Sequence, residues 1–389
     1  MKLSRRSLSL SAATAPFLMF GSGTAQTASP TKIDLEPSRN RLEDMLGYVP
    51  GGIVTGGLNI TWNDYQRQAS SLGDTHGEKV ANLSDGDLAM RSHYANIPHF
   101  LTYGLMLEEL AGFSMDNIAQ AIEFGVPPEA CLVMRVREIP ETLVSFWETV
   151  DYERKENEFG SYWTIGEDRE MDILHPVQGR MIARFNNIAI LDDTTIAYAP
   201  TLRLLEGIQA VAAGESESSV HELEPLFVTL PIDTSSLWFL DGEMLMFEGL
   251  VGSQSATAES LAQLEETFES SNDAVGSMPV IRSVCTGLTA GASIDETIHN
   301  PEARDFIVLE TDAAEMAQQA ADVVTWRGDN LDSLINRVPY TELIPNLEVQ
   351  ALTSELMICT NELDEAPPQF SRLLISGDTL LFAYRYGGE

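Results

Sequence analysis

The sequence is poor in lysine and strongly unbalanced in charge. Only four of its 23 basic residues are lysines, and they stand against 59 acidic residues, for a formal net charge of −36. A surface of that sign repels nucleic-acid phosphates and anionic lipid headgroups, so we expect neither nucleic acid nor a lipid surface as a partner. A high content of acidic residues with few lysines is typical of proteins exposed to salty water. It also fits a surface that binds divalent cations loosely, and the two interpretations are compatible.

Cysteine is also scarce. Cys131, Cys285 and Cys359 are far apart, which excludes the close cysteine pairs of zinc sites. In an oxidising compartment two of the three could form a disulfide, and we favour Cys285 with Cys359 because both fall in predicted strands of the C-terminal half. Cys131 is then a small buried hydrophobe. The alternative, that all three thiols are free and buried, stays open.

The motifs of common enzyme classes are missing. No Gly-x-Ser-x-Gly is present, and neither Gly51-Gly52 nor Gly56-Gly57 is followed by the Gly-Lys-Ser/Thr of a phosphate-binding loop. The best apolar run outside the N-terminus, Leu237 to Leu250, contains three acidic residues, so we predict no membrane span.

The first 25 residues have the layout of a secretory signal. A basic start, Met1 to Arg6, precedes an apolar run, Leu8 to Phe20, and the small residues Gly23-Thr24-Ala25 offer a cleavage site. Ser4 to Leu8 resembles the twin-arginine export signal. An ordinary secretory signal with two chance arginines is the alternative. Both predict an exported protein, periplasmic or extracellular.

The remaining chain predicts the α+β class in two halves, each a mostly antiparallel sheet with helices packed on one face. We place a flexible lead-in at 26–50, an N-terminal domain at 51–251, an acidic linker at 252–273 and a C-terminal domain at 274–389. Both halves follow the order strand, capped helix, further strands and closing hairpin. Duplication is therefore a hypothesis, although the residue identities match poorly.

Several elements of the N-terminal half are predicted from local signals. Ser114 should cap a helix in which Met115, Ile118, Ala119 and Ile122 recur at helical spacing. Cys131 to Val136 is a strand by its apolar content. A hairpin is predicted to turn at Asp192-Asp193, and a helix should follow from Thr201 to Ala213.

The C-terminal half gives comparable signals. Phe306 to Leu309 is a predicted strand, and Asp312 with Glu315 forms a capping pair for the following helix. Leu347 to Ile358 is a candidate for one long strand. Two apolar triplets that flank Ser376-Gly377-Asp378 predict a closing hairpin.

Two stretches resemble a known group of proteins. The first runs from Gly112-Phe113-Ser114 to Gly125-Val126-Pro127-Pro128 and then a strand, and the second is Asn187 to Asp193 leading to a helix. Together they resemble exported proteins and lipoproteins of environmental bacteria to which no activity is assigned. The resemblance covers about the N-terminal two-thirds of the chain and implies architecture and export, without chemistry.

The spacing of the candidate metal ligands in the sequence does not match that of known metal sites. His93 and His99 are six residues apart, so a helix would place them on different faces. Asp74, His76 and Glu78 fall in a predicted loop, for which a solvated loop is the simpler interpretation. Asp85-Gly86-Asp87 and the stretch 328–332 lack the alternation of a calcium loop. We assign no metal ligand.

The densest polar cluster follows an aromatic strand. Tyr162 and Trp163 precede four acidic residues and a histidine: Glu167, Asp168, Glu170, Asp172 and His175. Aromatic rings beside carboxylates could bind a sugar or a cation, whereas a solvated loop after a half-buried strand is the simpler alternative. No catalytic, cofactor-binding or metal-binding residue is assigned from this cluster.

Two functions remain. The favoured one is a non-catalytic extracytoplasmic protein that binds an unknown ligand or partner protein and needs no cofactor. The alternative is a secreted hydrolase whose carboxylates and histidine are scattered along the chain. A pocket that gathers His175 or His99 with two acids would favour the enzyme, and an exposed apolar patch without such a group would favour binding.

Overall fold

One antiparallel sheet organises the protein. The structure, a computed structural model, describes residues 37–52, 59–76, 111–114, 117–126, 128–181, 184–246, 278–290, 303–333, 335–363 and 368–384. Twelve strands in this part of the chain pair in the order β11-β12-β10-β9-β8-β1-β2-β3-β7-β6-β5-β4. The predicted mixture of helices with antiparallel strands is confirmed, and the strands of both halves join in a single sheet through β1 and β8.

The strands are short and follow the chain in two groups. The first group comprises β1 (Asn59–Asn63), β2 (Ile118–Phe124), β3 (Cys131–Val136), β4 (Glu153–Asn157), β5 (Gly160–Thr164), β6 (Asn187–Ile190) and β7 (Thr195–Ala199). The second comprises β8 (Thr234–Asp241), β9 (Ile281–Thr289), β10 (Arg304–Thr311), β11 (Glu348–Ala351) and β12 (Leu356–Glu362). Each neighbouring pair is antiparallel.

Helices connect the strands. They are α1 (Ser38–Leu46), α2 (Tyr65–His76), α3 (Leu143–Thr149), α4 (Gln178–Met181), α5 (Leu202–Ala212), α6 (Val220–Phe227), α7 (Ala317–Asn330), α8 (Tyr340–Leu343) and α9 (Phe370–Ser376), with a 3-10 turn at Gly242–Leu245. None of the helices in the described ranges is both long and apolar enough to cross a membrane.

The helices cover both faces of the sheet. One core unites α1, α5 and α6 with Val133, Phe239 and Val308 of the strands. Residues of opposite parity face the other side, where α3 packs in the N-terminal half and α7 and α9 pack in the C-terminal half. Along the C-terminal strands, the described helices α7 and α9 lie on one face of the sheet. In the N-terminal half the prediction of helices on one face is wrong, because α3 and α5 lie on opposite faces.

Several local predictions are confirmed. The strand Cys131–Val136 has the predicted bounds, and β6 and β7 form the predicted hairpin. The helix after it, α5, begins behind Thr201, whose side-chain oxygen accepts a hydrogen bond from the Leu204 amide. Local chemistry decides these elements because each combines a clear turn or cap with a matching apolar period.

The helix predicted behind Ser114 is a strand. Residues Ile118–Phe124 form β2 in the middle of the sheet, and all but one of its seven residues are buried. A strand covered on both faces is apolar at nearly every position, so it satisfies helical spacing as well as its own. Neighbouring strands, rather than the local pattern, decide this segment.

Three C-terminal predictions are also wrong. The predicted hairpin around Gly377 is the end of α9, where Gly377 takes a left-handed conformation (φ 74°) and closes the helix. The long strand Leu347 to Ile358 is a hairpin, since the chain turns between Ala351 and Leu356. Asp312 and Glu315 make no cap: α7 starts at Ala317 without a side-chain cap bond.

The predicted disulfide does not form. All three cysteines are buried and free. Cys285 lies opposite Val308 of β10, whereas Cys359 lies opposite the adjacent residue Ile307. Successive residues of a strand point to opposite faces, so the two sulfur atoms are on opposite sides of the sheet and cannot bond. The alternative of three buried thiols is the correct one.

Candidate functional site

The acidic loop, residues 165–178, connects β5 to α4 and contains the predicted cluster. The aromatic rings before it are not part of a site. Tyr162 and Trp163 are buried on opposite faces of the sheet, and Trp163 packs on Trp147 with ring centroids 5.0 Å apart. The two rings therefore anchor β5 in both cores and present no stacking surface to a ligand.

The carboxylates of the acidic loop bind backbone amides. Glu170 Oε2 accepts from the Glu167 amide at 2.8 Å, and Asp172 Oδ1 accepts from the Leu174 amide at 2.8 Å. Asp168 Oδ1 accepts from the Leu202 amide at 2.8 Å, in the first turn of α5. These bonds shape turns and cap a helix, and leave the negative charges on the surface.

His175 is also a structural residue. Its Nδ1 accepts hydrogen bonds from the backbone amides of Val177 (3.2 Å) and Gln178 (3.3 Å) at the start of α4. Its Nε2 lies 3.9 Å from an Asp151 carboxylate oxygen. Both hydrogen bonds use Nδ1, so this ring nitrogen holds the backbone at the start of α4. The structure does not support His175 as a catalytic base.

Two amide side chains hold the acidic loop in one conformation. Gln178 Nε2 donates to the Ile165 carbonyl (3.1 Å) and the Glu170 carbonyl (3.2 Å). Asn186 Nδ2 donates to the Glu170 carbonyl at 2.8 Å. Both side chains are buried. Buried amides that satisfy loop carbonyls fix the path of a segment that has no regular secondary structure.

An apolar tip projects from this fixed frame. The apolar tip consists of Met171, Ile173 and Leu174, which are 48%, 73% and 89% exposed. Its backbone is pressed on α4, because a Cβ on Gly179 would lie 2.5 Å from the Ile173 carbonyl oxygen. Only glycine permits that approach. The loop thus displays three large apolar side chains to solvent on a supported backbone.

Sequence reasoning missed the apolar tip. Ile173 and Leu174 are adjacent large aliphatic residues in an otherwise polar stretch, without the period of a strand or helix. That combination is the signal that could have identified them, since apolar residues with no partner element have no reason to be buried.

The other candidate ligands do not form a site. Asp74 and His76 belong to α2 instead of the predicted loop, whereas Glu78, His93, His99 and 85–87 lie outside the described residues. His221 is on the surface of α6, with its side chain 91% exposed. Across the ranges that the structure covers, no three histidine, cysteine or acidic side chains are placed to hold a metal ion.

One carboxyl with a perturbed pKa lies apart from the acidic loop. Burial raises the pKa of Asp305 to about 7, although backbone amides oppose the shift. Asp305 is fully buried and accepts from the Gln369 and Phe370 amides at the start of α9. It is closed to a substrate, so its pKa reflects a structural role.

Similarity to known proteins is confined to two solved structures with low identity. The chain matches no protein-family model, and no curated protein is similar to it in sequence. Two solved structures, crystal forms III and IV of TP0453, align with 86% of this chain and 98% and 96% of their own. Their identities to it are 9% and 8%, with TM-scores of 0.39 and 0.37. These scores establish no shared fold or function.

Proposed function

We propose that the protein is a non-catalytic, exported binding protein that contacts a partner through the apolar tip. The observation that carries the proposal is the exposure of Met171, Ile173 and Leu174 on a loop whose polar groups are internally bonded. Three large apolar side chains in water have no stabilising role in the free protein, whereas covering them favours association at roughly 25 cal/mol per Å² of buried apolar area.

The charges of the acidic loop indicate what kind of partner surface would fit the apolar tip. Glu167, Asp168, Glu170 and Asp172 are exposed on the same loop as the tip, and the whole chain carries a net charge of −36. We therefore expect a partner surface with an apolar depression and a basic rim. Opposite charge would accelerate association, and binding should weaken as the ionic strength rises.

The test compares a tip variant with a matched control. Met171→Ser, Ile173→Ser and Leu174→Ser are combined, and the control is Ile232→Ser, which changes an equally exposed residue (76%) elsewhere. Wild type and variants capture proteins from the host's extracytoplasmic fraction, and the enriched protein is purified for affinity measurements. We expect at least about a tenfold loss for the triple variant and none for the control. Equal binding by wild type and triple variant, or no enriched protein, would refute the proposal.

The extracytoplasmic location is part of this proposal. The basic and apolar character of residues 1–25 supports it, and these residues lie outside those described. N-terminal sequencing of protein recovered outside the cytoplasm should begin near Gln26. Full-length protein retained in the cytoplasm, unaffected by a block of translocation, would contradict export.

No specific observation favours the secreted hydrolase. Its best candidate base, His175, caps the start of α4, and Asp305, whose pKa is strongly raised, is closed to solvent. We expect the protein to keep its affinity for the partner when all of its histidines are changed to Gln. A large loss would count against the proposal.

The relation of the two halves is also a proposal. In each, three consecutive strands form a meander, β1-β2-β3 and β8-β9-β10, and the last strand of a later hairpin, β7 or β12, pairs with the third. The first strands β1 and β8 pair antiparallel around Thr61 and Trp238, as a local two-fold axis requires. We infer duplication, which superposition of β1-β2-β3-β7 on β8-β9-β10-β12 in an experimental structure would test. Different relative strand orientations would contradict it.

A further inference from the structure

The two ends of the sheet are differently protected. β4 ends one side with Glu153, Arg154, Lys155 and Glu156, which are exposed and form ion pairs along the strand (Arg154–Glu156, 3.0 Å; Lys155–Glu153, 3.7 Å). β11 ends the other side with the sequence Glu-Val-Gln-Ala, which has a single charge. Charged side chains, lysine above all, prevent another strand from adding to an edge. β11 lacks that protection.

The register shows which backbone groups of β11 are available. The Leu352 amide donates to the Leu356 carbonyl at 2.8 Å, so this pair is hydrogen-bonded. Antiparallel pairs alternate, which makes Gln350↔Ile358 hydrogen-bonded and Val349↔Cys359 not. The N–H and C=O groups of Val349 and Ala351 therefore point away from β12. In the described part of the chain the sheet ends there.

A groove lies beside these groups. It has a volume of about 200 Å³ and is formed by Leu347 and Val349 of the sheet edge and by residues of α7 and α8. Gly328 lets Leu347 pack closely on α7 at one wall of the groove, because a Cβ at that position would lie 2.8 Å from Leu347 Cδ2. Asp329 places a carboxylate at the groove. An added strand would direct every second side chain to the face that holds the groove.

We propose that the β11 edge and its groove bind an extended segment of a partner protein by strand addition, with a basic side chain directed at Asp329. The backbone of Val349 and Ala351 supplies two donors and two acceptors, and the groove selects the side chain. A second copy of this chain is disfavoured as occupant, since both edges would bring Glu348 and a net charge of −36 together.

This site is independent of the apolar tip. The tip follows β5 near one end of the sheet, and β11 ends the other, which places them roughly 50 Å apart at the usual strand spacing. The failure of one site would therefore leave the other in place, and variants of one serve as controls for the other.

The test uses a synthetic peptide as the probe: fluorescein-labelled Thr-Lys-Thr-Val-Thr-Lys, blocked at its C-terminus, so that lysine and valine share one face. Binding to the wild-type chain is measured by fluorescence anisotropy at low and high salt. A peptide with alternate backbone nitrogens methylated, and one with glutamate for lysine, are the matched ligands. We expect at least about a tenfold weaker affinity for each, because strand addition needs the peptide's amides and the groove needs its positive charge.

Protein variants locate the binding. Ala351→Pro removes an outward N–H at an edge position that tolerates proline, and should weaken binding by about tenfold. Asp329→Asn should weaken it by about fivefold and reduce its salt dependence. Asp193→Asn, an exposed acid in the N-terminal half, and the triple tip variant should bind as wild type does.

Hydrogen exchange gives a direct readout. The amides of Val349 and Ala351 should exchange more slowly with the peptide present, whereas those of Arg154 and Glu156 at the opposite edge should not change. Any of three results would overturn the proposal. They are no binding at millimolar peptide, the same affinity of the wild-type chain for the methylated and the unmodified peptide, or a dimer joined at β11 in sedimentation experiments. The methylated peptide decides the matter even where Ala351→Pro fails to fold.

Discussion

Two fully buried aspartates cap helix N-termini in the two halves of the sheet, and their surroundings differ. Asp64, between β1 and α2, accepts from the Arg67 amide at 3.0 Å and is held by Arg41, with N···O distances of 2.6 and 2.8 Å. Asp305, in β10, accepts from the Gln369 amide (2.5 Å) and the Phe370 amide (2.8 Å) of α9. Its other oxygen accepts no hydrogen bond from the residues that the structure describes.

The difference shows that burial alone does not decide the charge of a carboxyl group. Asp64 lies against the guanidinium groups of Arg41 and Arg67, at 2.6 and 3.5 Å, so its negative charge is compensated. Asp305 has only backbone dipoles, and burial raises its pKa to about 7. One cap is an ion-paired carboxylate and the other is poised between carboxylate and acid.

The largest expected effect is that of Asp64→Asn. The substitution removes the buried carboxylate that Arg41 and Arg67 share. Removing one partner of a buried ion pair typically costs about 3–5 kcal/mol. Urea denaturation should show the loss as a lower midpoint. The control is Asp44→Asn, which removes an exposed pair with Arg135 (3.4 Å) and should cost less than about 1 kcal/mol. Equal midpoints for the two variants would contradict the role of Asp64.

Asp305 should make stability depend on pH in the opposite sense to an ion-paired acid. Its folded pKa, about 7, is above the ordinary aspartate value of 3.8, so the folded protein binds the proton more tightly than the unfolded chain does. The contribution of Asp305 to the free energy of unfolding is complete below about pH 4 and is lost as the pH rises toward 7. At 1.36 kcal/mol per pKa unit, the loss is up to about 4 kcal/mol. Denaturation midpoints measured between pH 4 and pH 8 would show it.

Asp305→Asn isolates this contribution. The amide oxygen can still accept from Gln369 and Phe370, and no charge is buried at any pH. The variant should therefore lose the decline between pH 4 and pH 7 and be at least as stable as wild type at pH 8. A decline of the same size in the variant would assign the pH dependence to other groups.

How far the sequence predicts this arrangement depends on how local the signal is. Thr201 and the turn at Asp192-Asp193 identify their elements because cap and turn chemistry lie within a few residues of each other. Asp305 is 64 residues from the amide that it caps, and Asp64 is 23 residues from Arg41. Nothing near these aspartates in the sequence distinguishes them from the other acidic residues.

The candidate site shows the same limit. The sequence predicts a loop that carries these acidic residues, but their hydrogen bonds to backbone amides depend on the folded path of the chain. The edge groove joins α7, α8 and β11, whereas the sequence predicts one long strand from Leu347 to Ile358. Long-range pairing therefore determines how these residues and surfaces are arranged in the described part of the chain.

A third helix cap, on α5, extends the comparison to a neutral group and gives the smallest expected effect. Thr201 Oγ1 accepts from the Leu204 amide at 3.4 Å, while Asp168 accepts from the Leu202 amide at 2.8 Å. Thr201→Ala should cost about 1 kcal/mol without any change between pH 4 and pH 8, because a hydroxyl has no charge to titrate there. Asp168→Ala should cost a similar amount, and the double variant should lose more than either, since the two oxygens bind different amides at the same helix end. A pH-dependent loss in Thr201→Ala would mean that the cap acts through a neighbouring carboxylate, and the ranking of ion-paired, unpaired and neutral caps would then need a different physical basis.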